Sequence, residues 1–314
     1  MVARNVLLNQ KRKAIIKVRA KTLKMARSWF DQNDFIEVQG PVLMPAMGRW
    51  PNSFQVKYFG NEAYLSQGLQ PYSDAFVEMF GKVYTVAPTF RAEKVKTKRH
   101  LTEYWRIEVA AASHNLDQII EVIQSLITHV SNALATEAFE ELKFFRRSIE
   151  DMSRIRKPFQ RLTYDQAIDV LQKDGHRVQW GQELSWELEK NLSLKFEQPF
   201  FITEFPISNQ TSFRKEHPQR TELTSSADLF APEGYGEIGG GGQNICDEDV
   251  LLERMTELAI DPTDQRWYLS LRRFSLGENS GFVIGLERLI QWICKLKQIK
   301  DTTMFPRTPD SVYP

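Results

Sequence analysis

The sequence predicts a mixed fold of helices and strands, and three stretches carry that prediction. Residues 81–108, GKVYTVAPTFRAEKVKTKRHLTEYWRIE, read as a β-hairpin: 83–90 alternates β-formers with smaller residues, and 104–109 alternates apolar with polar. Residues 8–32 place Ile15, Val18, Leu23, Ala26 and Phe30 near helical spacing, with lysines and arginines on the other face. Residues 115–141 make the longest helix. Asn115 and Gln118 open it in a capping-box pattern, and Ile119, Ile120, Ile123, Leu126, Ile127 and Val130 form its apolar stripe. At 314 residues the chain can form one large domain of α/β or α+β type, or two average ones.

Composition excludes several function classes. With 42% hydrophobic and 26% charged residues the chain is an ordinary globular protein, and its net charge of +1 argues for neither a nucleic-acid coat nor an anionic membrane surface. Cys246 and Cys294 are too few for a metal cluster and offer one conceivable disulfide, so a reducing cytoplasm is the expected compartment. The five histidines have no metal-ligand spacing and no apolar run approaches membrane-spanning length; the basic start has no apolar core after it, so a signal peptide is not expected.

Between the strong elements the reading is coarser. FIEVQGPVLM is extended, with Pro41 at a strand edge or bend. PAMGRWPNS, 45–53, is a loop, followed by strands at 53–58 and 63–66 and a helix at 74–80. The polar stretch 140–199 carries helices at 164–173 and 185–194 and has too few apolar residues for a core of its own. A strand at 199–204 leads into 207–224, a loop rich in Ser, Gln, Arg and Lys.

The hairpin also carries chemistry. Arg91 and Glu93 end one strand; His100, Glu103 and Tyr104 begin the other. A guanidinium fork, an imidazole, carboxylates and an aromatic face can together neutralise a triphosphate and stack a purine. The same residues also suit a solvated loop tip.

FRAE, followed after a short basic loop by RHLTEYW, resembles motif 2 of class II aminoacyl-tRNA synthetases, most of all their asparaginyl and aspartyl branch. SGFVIGLERLIQWICKLKQIKDTTMFPRTP is similar to motif 3 of that branch, and ADLFAPEGYGEIGGGG at 227–242 to the segment between them. The first helix and its proline-ended strand are similar to motif 1, which builds the family's dimer interface. The resemblance covers nearly the whole chain. It implies an α+β fold: an antiparallel sheet flanked by helices, with a small helical insertion at 140–199. A single catalytic domain over 1–314, without the branch's anticodon-binding barrel, is the expected organisation.

The resemblance further implies ATP and magnesium. Arg91 would grip the α-phosphate and the substrate carboxylate, and Arg288 the far phosphates. An arginine in GLERL standing alone would more simply be a helix-surface partner of Glu287. Tyr104 matches the aromatic beneath adenine; Ala92, Glu93, Arg99, His100 and Leu101 match nucleotide neighbours, as do Gly285, Leu286 and Glu287. Asp228 and Glu237 correspond to acids facing magnesium. Gly240 lies in a run of glycines that lets the backbone approach the amino acid. Gln70 matches a substrate-reading glutamine, and Asp74 a glutamate that follows it.

Three departures stand beside these matches. Asn244 replaces an arginine that hydrogen-bonds the substrate side chain; 45–53 lacks the glutamate that receives the α-ammonium; and Val283 stands for a third glycine of motif 3. A neutral amide cannot make the charge-assisted fork to a carboxylate, so free aspartate is expected to be a poor substrate. The leading reading is therefore a synthetase paralogue that adenylates a carboxylic substrate and passes it to ammonia or a small amine, as archaeal asparagine synthetase-like proteins imply. The second is an asparaginyl-type aminoacyl-tRNA synthetase whose loop residues Lys94, Lys96, Lys98 and Arg99 grip the acceptor stem. The third, a non-catalytic regulator binding an amino acid or nucleotide, is disfavoured by the retention of Arg91, Glu237 and Arg288. A homodimer is expected, with Ile15, Val18 and Phe30 packed across its two-fold axis.

Overall fold

The computed structural model describes residues 9–45, 52–95, 97–209, 213–274 and 277–312. Helix α1 (Gln10–Gln32) starts at Asn9, whose side chain accepts the Arg12 amide at 3.0 Å. Strand β1 (Ile36–Glu37) follows, and the Gly40–Pro41 step redirects the chain. As a result β2 (Leu43–Met44) joins a second, small sheet with β3 (Gln55–Tyr58) and β4 (Asn61–Leu65), in the order β2-β4-β3. Helix α2 (Tyr72–Phe80) then runs through Gly81, at φ +77°, into the hairpin of β5 (Lys82–Phe90) and β6 (Glu103–Ala112). The hairpin register holds from Lys82 opposite Ala111 to Phe90 opposite Glu103.

Helix α3 (Leu116–Glu137) opens on the Asn115–Gln118 capping box, with bonds of 2.9 and 3.0 Å, and stops at Ala138, earlier than its sequence pattern. Two short helices follow, α4 (Phe139–Leu142) and α5 (Ile149–Ser153). Next come β7 (Gln160–Thr163), α6 (Tyr164–Lys173), α7 (Trp186–Ser193) and β8 (Phe200–Thr203). The chain is completed by β9 (Ser226–Ala231), β10 (Gly236–Gln243), α8 (Glu248–Glu257), α9 (Arg266–Phe274), β11 (Asn279–Gly285) and α10 (Leu286–Ile293).

Eight strands form the main sheet in the order β1-β5-β6-β11-β10-β9-β8-β7. Only the two outer pairs, β1 with β5 and β7 with β8, are parallel; the rest are antiparallel. This is the α+β architecture that the motifs imply.

One face of the sheet is covered by α1, α3 and α10, where Ile15, Phe30, Ile123, Ile127, Ile290 and Trp292 pack on Ile107, Val109, Leu229, Phe282 and Ile284. Because side chains alternate along a strand, the residues between these, Arg106, Glu108, Asp228 and Val283, face the opposite side, where two cavities open.

Several expectations change. Ile15, Val18 and Phe30 are all buried within the chain's own core, so they are not a dimer face. Stretch 140–199 is not purely helical: β7 extends the main sheet. Its apolar residues Leu162, Tyr164, Ile168, Leu171 and Leu192 complete a core by borrowing Phe200, Ile202 and Phe230 from the sheet. The loop of 207–224 holds a 3-10 turn at Ile207–Asn209 and backbone bridges of Pro206 to Leu223 and Glu216 to Thr224. Helices α8 and α9, which no sequence pattern predicted, form a satellite core in which Phe213 and Ile245 meet Leu251, Met255, Tyr268 and Leu269.

Asp74 is also reassigned. Its carboxylate lies 2.5 Å from Arg272 of α9, with both side chains buried, and the same guanidinium nitrogen is 2.6 Å from the Tyr268 hydroxyl. It ties α2 to the satellite core and does not line either cavity. Removing one member of a buried pair leaves the other charge uncompensated. Asp74→Ala should therefore cost about 3–5 kcal/mol of unfolding free energy in urea titration; a loss within about 0.5 kcal/mol, the scale of an ordinary surface substitution, would show that the pair is not structural.

Candidate active site

The larger cavity, about 300 Å³, lies on the open face of the sheet between the hairpin, β10 and the first turn of α10. Arg91 reaches it from the end of β5, where its guanidinium meets Glu93 at 3.3 Å. Arg288 enters from α10 and bonds the carboxylate of Glu237 on β10, and also its carbonyl at 3.3 Å. Burial alone would lower the Arg288 pKa, but Glu237 and Glu189 beside it raise it. Arg288 is thus not a surface partner of Glu287. Glu287 borders the cavity too, but its carboxylate is engaged elsewhere, accepting the Trp105 amide at 2.9 Å and pairing with Arg19 of α1 at 2.8 Å, and so fastens α10 to the hairpin and α1.

Tyr104, His100 and Leu101 line the cavity from the second hairpin strand and the turn before it. Arg106 holds the Tyr104 hydroxyl at 2.8 Å, fixing the ring. Burial, and then the charge of Arg288, pushes the His100 pKa below the usual imidazole range.

Other expected nucleotide neighbours have different places. Leu286 belongs to the core on the far side of the sheet. Ala92 does not line the cavity; its amide bonds the carbonyl of Asn52 at 2.8 Å. Glu93 contributes through Arg91, while Gly285 does border the cavity at the start of α10. Arg99 also borders it but is buried rather than displayed to an RNA: it bonds Glu189 of α7 and the Glu237 carbonyl, and its guanidinium stacks 4.4 Å from the Trp186 ring centroid. Lys96, and 46–51 of the loop that lacks an acid, lie outside the described residues.

Three carboxylates converge beneath the arginines. Burial first, then Glu237 and Glu189, pushes Asp228 well above the usual carboxylate range. Burial pushes Glu237 the same way, but Arg288 and Arg99 outweigh it and hold the group low. Gly240 lets the Asp228 carboxylate come close, since a Cβ on it would stand 2.2 Å from the Asp228 Oδ1 and displace it. Among the described residues no trio of His, Cys, Asp or Glu is arranged to hold a metal ion by itself. Asp228 and Glu237 nevertheless suit magnesium, which takes one or two carboxylates and completes its shell with phosphate oxygens and water. A buried carboxylate beside two others is a site that a cation relieves.

A second cavity of about 160 Å³ adjoins, lined by Gln67, Gly68, Gln70, Arg106, Glu108, Arg214, Asn244 and Gly281 among others. Arg106 and Glu108 were legible only as inward-facing alternates of Ile107 and Val109. Arg106 donates to the Gln67 carbonyl at 2.6 Å, and Glu108 accepts the Leu69 amide at 2.9 Å. Gly68 allows this approach: a Cβ there would lie 3.1 Å from Glu108 Oε1. Asn244 is buried and engaged, accepting from Arg214 at 2.6 Å and donating to Asn279 at 2.7 Å. The pocket therefore has a guanidinium in its wall, against the expectation from Asn244 alone.

Comparison with known proteins matches residues 4–309 to the family described as tRNA synthetases class II (D, K and N). The chain belongs to this family. It is 39% identical over 302 residues to an asparagine–tRNA ligase of Thermococcus gammatolerans, spanning 96% of this chain and 70% of that protein. It is 36% identical over 314 residues to that of Koribacter versatilis, at 98% and 71% coverage. Its fold superposes with a TM-score of 0.93 on the asparaginyl-tRNA synthetase of Pyrococcus horikoshii complexed with asparaginyl-adenylate, at 39% identity over 97% of this chain and 70% of that one. The asparaginyl-adenylate complex of the Entamoeba histolytica enzyme gives 0.88 at 25% identity, over 96% and 69%.

This class II synthetase is an ATP-dependent, AMP-forming ligase of the asparagine–tRNA ligase type. The relatives favour the tRNA-charging reading over the amide-forming one that led from sequence, and they give the asparagine synthetase-like reading no support.

The state of Asp228 yields a test. A carboxyl whose folded pKa is raised adds stability fully only below its unfolded pKa, and loses it as pH rises through the folded one. Asp228→Asn, which stays neutral, should raise the melting temperature at pH 7 while slowing adenylate formation. A variant melting below the parent at pH 7 would show that Asp228 is not the strained group.

Proposed function

We propose that this synthetase activates asparagine with ATP and transfers it to tRNA. The observation that carries the reading is the pairing of two cavities on one sheet face. One is walled by Arg91, Arg288 and Tyr104; the smaller one beside it is walled by Arg106, Glu108 and Arg214.

In this reading Tyr104 lies under adenine, Arg288 holds the far phosphates, and Arg91 bridges the α-phosphate and the amino-acid carboxylate. Gln70 borders the amino acid. Glu108 receives its α-ammonium, doing what the acid-free stretch at 45–53 does not. Asp228 and Glu237 are the residues that would hold magnesium, which when bound neutralises the triphosphate. A carboxylate oxygen attacks the α-phosphorus as the bond to pyrophosphate breaks, giving aminoacyl-AMP and pyrophosphate. A ribose hydroxyl at the tRNA 3′ end then takes the acyl group and AMP leaves. Catalysis rests on cations fixed in advance where charge is redistributed, since phosphoryl transfer asks little covalent chemistry of the protein.

Asparagine-dependent exchange of pyrophosphate into ATP is expected. Arg288→Ala should slow it by about 10²–10³-fold, as removal of a preorganised donor does. Asparagine should also become attached to tRNA. Synthesis of asparagine from aspartate, ATP and ammonia without tRNA charging would overturn this reading and restore the amide-forming one.

A homodimer is part of the proposal, on a different surface from the one expected. Ile36, Met79 and Phe80 are 45%, 70% and 45% exposed. Ile36 pairs with Val83 at the sheet edge, and Met79 and Phe80 lead into that same strand. Such an apolar edge calls for cover. Sedimentation should show a dimer at micromolar concentration that Phe80→Asp converts to monomer; a monomeric parent would refute the interface.

A further inference from the structure

We propose that Arg214 reads the substrate side chain, binding the side-chain carbonyl or carboxylate oxygen of the amino acid, and that Asn244 positions it. The inference rests on the amino-acid-activating reading above and adds the residue that selects its substrate.

Arg214 lines both cavities, as Arg106 and Val283 do from the facing strands β6 and β11, and it enters from the segment paired with the end of β10. Its place is fixed by backbone register. Residues 213–215 run antiparallel to 243–245, with Ile245 N to Phe213 O at 3.0 Å and Lys215 N to Gln243 O at 2.9 Å, and Arg214 stands directly opposite Asn244. Directly opposed residues of antiparallel segments present their side chains on one face. Phe213, on the other face, is 2% exposed and packs with Tyr268 at a ring separation of 6.0 Å. A slip of one residue would drive the guanidinium into that apolar cluster and Phe213 into the cavity, so the cluster locks the register.

The side chain is fixed as firmly. Nη1 donates to the Gly242 carbonyl at 3.0 Å and to Asn244 Oδ1 at 2.6 Å. The Asn244 Nδ2 donates to Asn279 Oδ1 at 2.7 Å, so the amide oxygen is the end presented to the arginine. With its oxygen and nitrogen both engaged and its surface 2% exposed, Asn244 is a support for the reader. Gly240, Gly241 and Gly281 bring no side chain to the cavities, which leaves the Arg214 guanidinium room beside them, across from Arg106. Arginine presents planar donors that match a carboxylate or amide oxygen. The pocket thereby suits asparagine or aspartate, and the premise that aspartate would meet no cation is removed.

The test compares the parent, Arg214→Ala, Asn244→Ala and the double variant Arg214→Ala/Asn244→Arg. Each is assayed for pyrophosphate exchange with asparagine and with aspartate, and for binding of the preferred acid by calorimetry beside a non-hydrolysable ATP analogue. Arg214→Ala should raise the amino-acid KM on the order of tenfold to a hundredfold, as expected for a lost charged hydrogen bond, with the KM for ATP nearly unchanged. Asn244→Ala should raise the same KM less, and the double variant should recover affinity by returning a guanidinium from the opposing residue. Equal amino-acid affinity in parent and Arg214→Ala overturns the assignment, as does a parent that binds neither acid. If exchange fails for every amino acid but asparagine binds the parent and not Arg214→Ala, the proposed reaction falls and the role of Arg214 stands.

Discussion

The ion-pair network of Arg288, Glu237, Arg99 and Glu189 is the constraint on which the rest of the site depends. Glu237 accepts Arg288 at its carboxylate and Arg99 at its carbonyl, while its amide donates to Glu189 at 3.1 Å. One residue of β10 thereby joins motif 3, the hairpin turn and the 140–199 stretch. Charges this enclosed are costly unless each has a partner, and removing one strands the others. The network therefore places two arginines and two acids with little freedom, which is what a site that stabilises a charged transition state needs.

That enclosure explains the uneven share of the site legible in the sequence. The hairpin and the positions of Arg91, His100 and Tyr104 at its strand ends follow from strand alternation and local spacing, and the structure brings those side chains to one cavity. Arg106 and Glu108 had a signal, alternation with Ile107 and Val109, that motif matching passes over. Glu189 had none: it lies 48 residues from Glu237 in the chain and meets it only through the packing of α7 on β10. Helices α8 and α9 escaped because each buries few residues, against a partner segment that is itself irregular.

Arg214 is the most instructive of these. By sequence it sits in a polar loop, and the substitution at Asn244 reads as a lost cation. Pairing of 213–215 with 243–245 places the arginine directly across from the amide. A change that looks like loss of charge in one strand becomes a change in which strand supplies it. Single-position comparison cannot see this, since the physical unit is the cross-strand pair. Asp74 teaches the converse: a residue aligned with a substrate acid is held by Arg272 and works as a structural tie.

The most direct measurement is a crystal structure of this synthetase with a non-hydrolysable asparaginyl-adenylate analogue. The account predicts adenine against Tyr104, the phosphate against Arg91, and the side-chain oxygen about 3 Å from the Arg214 guanidinium, an ordinary hydrogen-bond distance. An analogue whose side chain points away from Arg214, or that binds outside the paired cavities, would contradict it.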